Sequence, residues 1–203
     1  MATLSERSRT ATARKVNQQA LLDATVALLE DGTPYAEISI DRIVRRAGLS
    51  RPTFYSYFED KRALVLHLGQ ALEEDMSAVA EPWLSFADVP LRDTLEGVLA
   101  VYIRHRGVVA ALTEAATYDP DVGAFWQTFI NRFRPGAERR IAAGYPDLSP
   151  GGVAARAYAV VWMIERTVTG HLARPVVDDT DLVDQLTWIW QTATATGTGT
   201  GQQ

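Results

Sequence analysis

Apolar residues recur at spacings of three and four along most of the chain, and no segment alternates apolar and polar residues for the length of a strand. Because this period places apolar side chains on one face of a helix, the sequence predicts an all-α protein. Turns that contain proline and glycine divide the pattern into segments. The longer predicted helices span residues 16–31, 60–82, 90–105, 107–117, 121–142, 151–172 and 179–195.

Two short helices joined by a glycine turn are predicted between Ser39 and Lys61. Ser39 and Ser50 each precede a helix and are suited to cap its free backbone N–H groups. Gly48 permits the left-handed backbone that ends the first helix, and Pro52 fits the first turn of the second. Such a helix pair is a helix-turn-helix motif.

The second helix of this motif needs only Phe54 and Phe58, four residues apart, to anchor it. The rest of its surface carries arginine, hydroxyl and tyrosine side chains, which read base edges and phosphates from the major groove. The alternative is that Tyr55 and Tyr57 are half-buried core aromatics. We predict that the following residues contact double-stranded DNA: Ser39, Arg42, Ser50, Arg51, Pro52, Thr53, Tyr55, Ser56, Tyr57 and Lys61.

This stretch resembles the TetR family of bacterial transcriptional regulators. The matching residues are Gly48, Leu49, Ser50, Pro52, Thr53, Phe54, Tyr55, Tyr57, Phe58 and Lys61. The C-terminal part is similar, more loosely, to the mycobacterial ethionamide-activation repressor subgroup. That likeness rests on Phe125, Trp126, Gln127, Thr128, Phe129, Phe133, Ile164, Glu165, Arg166 and Thr167. The resemblance implies an all-helical homodimer in which a ligand in the C-terminal domain controls DNA binding.

The resemblance also implies a ligand site. In that subgroup a long, narrow, mostly apolar tunnel is lined at the positions of Val98, Tyr102, Trp126, Phe133, Glu165 and Trp190. Val161 and Ile164 replace two asparagines of the tunnel, so we expect a more apolar pocket that binds a small hydrophobic effector. Glu165 is then its main polar group. The alternative is that Glu165 pairs with Arg166 or another cation and is purely structural.

We predict a helix-turn-helix domain at 1–62, an effector-binding and dimerisation domain at 63–195, and a disordered tail at 196–203. The first domain holds 10 Lys+Arg against 8 Asp+Glu, and the remainder 10 against 17, so positive charge is concentrated where DNA would bind. Four basic residues form a predicted flexible arm that follows the DNA backbone, enters the minor groove, or is simply solvated. They are Arg7, Arg9, Arg14 and Lys15.

The last two predicted helices carry apolar faces that include Val168 and Leu186. One face of each helix packs inside the subunit, and small residues allow close helix approach. Pairing with a two-fold copy into a four-helix bundle would cover the other face. Such a homodimer presents two recognition helices to a palindromic operator.

Composition narrows the function further. Among 203 residues there is no cysteine, which excludes disulfides and cysteine zinc sites. No apolar run is long enough for a signal peptide or membrane span, so we expect a cytoplasmic protein. His67, His105 and His171 are scattered and no catalytic motif occurs, so we expect neither an enzyme nor a cofactor. The predicted function is a ligand-responsive repressor; the alternative is a constitutive regulator or activator whose C-terminal domain only dimerises.

Overall fold

The computed structural model describes the backbone of residues 4–194 and the side chains of residues 12–194. Within that range the chain forms ten α-helices, one short 3₁₀ helix (Tyr35–Glu37) and no strand, which confirms the predicted all-α class. The α-helices are α1 Leu4–Glu30, α2 Ile40–Ala47, α3 Arg51–Tyr55, α4 Lys61–Leu84, α5 Leu91–Arg104, α6 Arg106–Ala115, α7 Pro120–Asn131, α8 Arg134–Gly144, α9 Pro150–Ala173 and α10 Asp179–Thr194.

The chain divides into two compact units. The first consists of the residues up to Gln70 together with Gly107–Gly123, and the second of Ala71–Arg106 together with the residues from Ala124 onward. The sequence predicts that the helix-turn-helix domain consists of residues 1–62 alone. In the structure, the start of α4 and nearly all of α6 pack in the same unit as that motif.

The first unit has its core where α1 meets α2. Leu21 of α1 and Ile43 of α2 are fully buried, as is Phe54 of α3. A close approach requires glycine at Gly107, because a Cβ added there would lie 2.9 Å from Cβ of Leu29. Glycine therefore lets α6 lie directly against the end of α1.

The predicted start of the first helix at residue 16 is wrong, because α1 begins at Leu4. The preceding residues contain neither glycine nor proline, so nothing in the backbone interrupts the helix. The predicted arm residues Arg7, Arg9, Arg14 and Lys15 therefore lie within α1. The predicted tail at 196–203 lies outside the described residues.

The predicted single helix at 121–142 is two helices, α7 and α8, separated by a turn. Pro135 lies in the first turn of α8, a position that proline favours because its missing N–H has no helical partner there. The predicted end of α4 at Pro82 is two residues early, since the helix continues to Leu84. Asp60 caps its start by accepting the backbone N–H of Ala63 at 2.7 Å.

The second unit packs α9 against α5, α8 and α10. Val168 of α9 and Leu186 of α10 are both buried within this unit. In the stretch of chain that the structure describes, no helix combines the length and apolar character needed to cross a membrane.

Candidate DNA-binding surface and apolar cavity

Local capping builds the helix pair α2–α3. The hydroxyl groups of Ser39 and Ser50 each accept the backbone N–H three residues further along the chain, both at 3.3 Å. Gly48 ends α2 with φ 67°, in the left-handed region that glycine adopts without strain. Pro52 lies in the first turn of α3. The serine caps and the glycine turn that predict a helix-turn-helix from the sequence are therefore also present in the structure.

Two phenylalanines anchor α3 and leave its other side exposed. Phe54 and Phe58 are buried, with ring centroids 5.8 Å apart. Tyr55, in contrast, is 50% exposed and is not among the buried residues of the core. Tyr57 is half-buried, and the guanidinium carbon of Arg14 lies 5.8 Å from its ring centroid.

Arg51 is the centre of a polar network on the exposed side of α3. Its Nη1 donates to both carboxylate oxygens of Asp41, at 3.0 and 2.9 Å, and its Nη2 donates to the Tyr55 hydroxyl at 3.2 Å. All three side chains are exposed. Asp41 therefore holds Arg51 in place but also places a negative charge beside the residue expected to read DNA.

Other predicted DNA contacts already have partners within the protein. The Ser56 hydroxyl donates to the Thr53 carbonyl at 2.7 Å, and Thr53 Oγ1 lies 2.8 Å from Ser50 Oγ. Arg42 is exposed and donates to the Thr33 hydroxyl at 3.2 Å. These hydrogen bonds fix the shape of the motif, and the Ser56 oxygen, which acts as a donor, keeps lone pairs with which to accept further hydrogen bonds.

Lys61 is held inside the first unit. Its Nζ donates to the Tyr35 carbonyl at 2.8 Å and lies 4.3 Å from the centroid of the Tyr35 ring. Burial lowers the pKa of Lys61, and the nearby charge of Glu114 opposes this effect. The predicted phosphate contact by Lys61 would require this ammonium group to be shared with, or leave, the Tyr35 site.

A carboxylate on α6 fixes the 3₁₀ helix that precedes the motif. Glu114 accepts the backbone N–H of Tyr35 at 2.9 Å and that of Ala36 at 2.8 Å. Two backbone donors bound by one carboxylate form a strong, directional link. The segment leading into α2 is therefore fastened to α6, a contact for which the sequence gives no local signal.

An apolar cavity of about 80 Å³ lies in the second unit. Fifteen residues line it, and all but Thr94 and Glu165 are apolar or aromatic. The side chains come from α4, α5, α7, α9, α10 and the turn before α8. They are Met76, Ala80, Trp83, Leu84, Leu91, Thr94, Leu95, Val98, Tyr102, Ile130, Phe133, Val161, Ile164, Glu165 and Trp190.

Seven of the eight predicted ligand-site residues line this cavity: Val98, Tyr102, Phe133, Val161, Ile164, Glu165 and Trp190. The eighth, Trp126, does not line it but donates its Nε1–H to Glu165 Oε1 at 3.3 Å. Among the described residues no cation lies within ion-pairing distance of Glu165, so the alternative of a pair with Arg166 is wrong.

Burial shifts the pKa of Glu165 and of Tyr102, which both line the cavity. Desolvation raises the pKa of Glu165, while the hydrogen bond from Trp126 opposes the rise. Burial also raises the pKa of Tyr102, whose phenol therefore stays neutral, and the charge of Glu165 acts in the same direction. The cavity is thus an apolar space with one acidic group in its wall.

Sequence reasoning missed most of the lining that comes from α4 and α5. Met76, Ala80 and Leu84 follow one another at four-residue spacing, and Leu91, Leu95 and the predicted residues of α5 continue such a face. The spacing identifies an inward face. It does not distinguish a face that meets a cavity from one that meets solid core.

The helices α9 and α10 also expose large aromatic side chains. Tyr158 is 52% and Trp188 62% exposed, and the rings of Tyr158 and Trp162 lie 6.1 Å apart. These residues lie on other faces of the helices than the buried Val168 and Leu186. Isolated exposed aromatics are common, but two on adjacent helices, with the half-buried Trp162 beside one of them, mark a candidate protein interface.

Two family models match the chain. The model described as bacterial regulatory proteins of the tetR family matches residues 21–68, and the model of the C-terminal domain of transcriptional regulator EthR matches residues 91–195. The HTH-type transcriptional regulator EthR of Mycolicibacterium smegmatis is 30% identical over 186 residues, covering 86% of this chain and 84% of that protein. EthR of Mycobacterium tuberculosis is 30% identical over 190 residues, covering 86% and 85%. These relatives are regulators of transcription rather than enzymes.

Solved structures agree on the fold. A transcriptional regulator of the TerR/AcrR family from Aquifex aeolicus superposes with a TM-score of 0.67 at 17% identity, covering 87% of this chain and 98% of that one. The fatty acid degradation regulator FadR from Bacillus halodurans superposes with a TM-score of 0.62 at 15% identity, covering 92% and 97%.

Proposed function

Because this chain belongs to the TetR family of transcriptional regulators and carries an EthR-type C-terminal domain, we propose that it is a ligand-responsive repressor. It binds a palindromic operator as a homodimer, in the cytoplasm, and a small hydrophobic effector releases it. The main observation in support of the proposal is the extent of α4. This helix starts directly after the helix-turn-helix, and its second half supplies Met76, Ala80, Trp83 and Leu84 to the cavity wall.

We assign recognition of the DNA sequence to α3. Arg51 and Tyr55 reach base edges and phosphates, while Phe54 and Phe58 hold the helix in place. The capping serines, Ser39 and Ser50, and Thr53 set the position of α3 against the DNA backbone. The side chains of Arg14 and Lys15, in the N-terminal half of α1, add contacts to DNA phosphates.

The effector acts through α4. The cavity of about 80 Å³ is small beside the 300–1,000 Å³ typical of ligand pockets, so a bound molecule must push its walls apart. Moving α4 changes the position of the helix-turn-helix in each subunit. The two recognition helices then no longer match successive major grooves, and the ligand-bound state has the lower DNA affinity.

Dimerisation is assigned to the exposed faces of α9 and α10. Tyr158 and Trp188 supply exposed aromatic area that would be covered by a two-fold copy, and the half-buried Trp162 lies beside Tyr158. The buried Val168 and Leu186 belong to the subunit core instead. This assignment moves the predicted interface to other residues of the same two helices.

The second candidate function is a constitutive regulator or activator whose C-terminal domain only dimerises. The small volume of the cavity favours it over a repressor with a ready-made pocket. Operator DNA selected from random duplexes, followed by affinity measurements with and without alkyl ligands, separates the two candidates. Release by a ligand that also changes tryptophan fluorescence supports the repressor, and unchanged affinity at saturation supports the constitutive regulator.

A further inference from the structure

Glu165 is the one carboxylic acid among the described residues that line the cavity, and only one of its two carboxyl oxygens has a hydrogen-bond partner in that part of the chain. It is only 5% exposed. Oε1 accepts the hydrogen bond from Trp126, whereas Oε2 has no hydrogen-bond partner among the described residues. Thr169 lies 3.5 Å from Oε1 but donates its proton to the backbone carbonyl of Glu165, at 2.8 Å.

A purely structural role does not require an acid at this position. The indole N–H of Trp126 needs a single acceptor, which a neutral glutamine would supply equally well. An acid instead carries a desolvation penalty, and burial indeed raises the pKa of Glu165. Lysine, arginine and histidine are absent from the fifteen lining residues. No described lining residue therefore supplies a cation, and the charge of Arg166, which does not line the cavity, lowers the pKa of Glu165 less than burial raises it.

The surroundings of Glu165 favour a cation as its partner. Tyr102, Phe133 and Trp190 line the same cavity, and aromatic ring faces attract positively charged groups. A ligand carboxylate would bring a second acid beside Glu165, and one of the two would have to be protonated. An alcohol could donate one hydrogen bond but carries no charge of its own. An ammonium group adds charge to that bond, which makes it substantially stronger at a buried site.

We propose that the effector is a lipophilic amine, whose ammonium group binds Glu165 and whose hydrocarbon part lies among the apolar side chains. This inference rests on the proposed function, because it takes the cavity to be the effector site. Glu165 then determines specificity by charge. The apolar walls, including Val161 and Ile164, accept the rest of the molecule without selecting among hydrocarbon shapes.

Three ligands of equal chain length test the inference on the unaltered protein: n-hexylamine, 1-hexanol and hexanoate. Tryptophan fluorescence, with calorimetry as a second measurement, gives each affinity at neutral pH. We expect hexylamine to bind about tenfold or more tighter than hexanol, and hexanoate to bind most weakly. Equal affinities for the amine and the alcohol, or tightest binding of hexanoate, overturn the inference.

Glu165→Gln tests the role of the charge. It keeps an acceptor for Trp126, so we expect it to lower hexylamine affinity about tenfold while changing hexanol affinity less than about threefold. Retained hexanol binding also shows that the variant folds. If it does not fold, the comparison on the unaltered protein still decides. Undiminished hexylamine binding by a folded variant contradicts the inference.

Operator affinity separates this inference from the proposed function. If hexylamine and hexanol bind equally and both release operator DNA, the repressor mechanism stands and the amine preference fails. If hexylamine binds through Glu165 but leaves operator affinity unchanged, the ligand site stands and the repressor mechanism fails. If none of the three ligands binds, both fail.

Discussion

At the scale of single residues, Asp41 has two opposing effects on DNA binding by Arg51. Its carboxylate positions the guanidinium group but repels DNA phosphates. We expect Asp41→Asn to tighten binding to random-sequence DNA and to lower the ratio of specific to non-specific affinity. The control is Asp184→Asn, which removes the same charge from an exposed pair with Arg92 in the second unit. Equal effects of the two variants would contradict an assignment of Asp41 to the DNA-binding surface.

Tyr55 and Phe58 separate contact with DNA from stability. Tyr55→Phe removes an exposed hydroxyl group, so the free energy of unfolding should change by less than about 0.5 kcal/mol while operator binding weakens. Phe58→Ala truncates a buried ring and should lower the free energy of unfolding by about 3–5 kcal/mol. Denaturant unfolding and operator titrations measure both. Normal operator binding by Tyr55→Phe would remove this hydroxyl from the recognition surface.

Glu165 gives a prediction about pH. Its pKa is raised in the folded state, so the folded protein binds this proton more tightly than the unfolded chain. The resulting stabilisation is present below the unfolded pKa and is lost as pH rises through the folded pKa. Glutamine does not titrate. The melting temperature of Glu165→Gln relative to the unaltered protein should therefore rise as pH increases above about 4, and a constant difference would contradict this.

Lys61 illustrates what could not be predicted at this scale. Its place at the end of the motif indicates a phosphate contact, whereas its position in the structure depends on Tyr35, 26 residues earlier. Serine caps and the Gly48 turn depend on neighbouring residues, so they could be predicted. Contacts between distant parts of the chain leave no local pattern.

At the scale of elements, Glu114 fastens α6 to the segment that leads into α2. Glu114→Gln keeps the shape of the side chain but replaces one of its two acceptor oxygens by a donor. We expect the free energy of unfolding to fall by about 1–3 kcal/mol and operator affinity to fall with it. Circular dichroism melts and operator titrations check this.

The matched control is Glu96→Gln, which alters an exposed carboxylate paired with Arg92 on the surface of α5. Surface pairs of this kind contribute little, so this variant should behave almost like the unaltered protein. Similar losses in both variants would show that Glu114 is no more than a surface charge. The link between α6 and the 3₁₀ helix would then make no contribution to DNA binding.

Elements were predictable to different degrees. The ends of α9 and α10 lie within one residue of the predicted bounds, because proline, serine and aspartate mark them. The start of α1 was missed because its first residues lack the apolar spacing on which the prediction depended. The break between α7 and α8 coincides with Pro135, a signal that was available in the sequence.

At the scale of the whole molecule, the proposed homodimer depends on exposed aromatic residues. Trp188→Glu and Tyr158→Arg should each give a folded monomer that has lost tight operator binding, since a monomer contacts only one half-site. Sedimentation and circular dichroism measure association and folding separately. Leu186→Asp, at a buried position, should unfold the protein instead. A stable dimer of Trp188→Glu and Tyr158→Arg would place the interface elsewhere.

The family and the general position of the cavity could be predicted from the sequence, since seven of eight predicted residues line it. Those residues came from a resemblance to a family, not from periodicity. The extent of the lining along α4 could not be predicted, because a helix pattern identifies the buried face without showing what that face meets.

In the proposed mechanism, filling the cavity weakens operator binding. Its most direct test is a single titration of hexylamine, and in parallel hexanol, into the protein bound to a labelled operator duplex. Fluorescence anisotropy follows the DNA while tryptophan emission follows the cavity. We predict that both signals change over the same ligand concentrations, with operator affinity lowered about 5- to 150-fold at saturation. Saturation of the tryptophan signal with the operator still fully bound would contradict this mechanism.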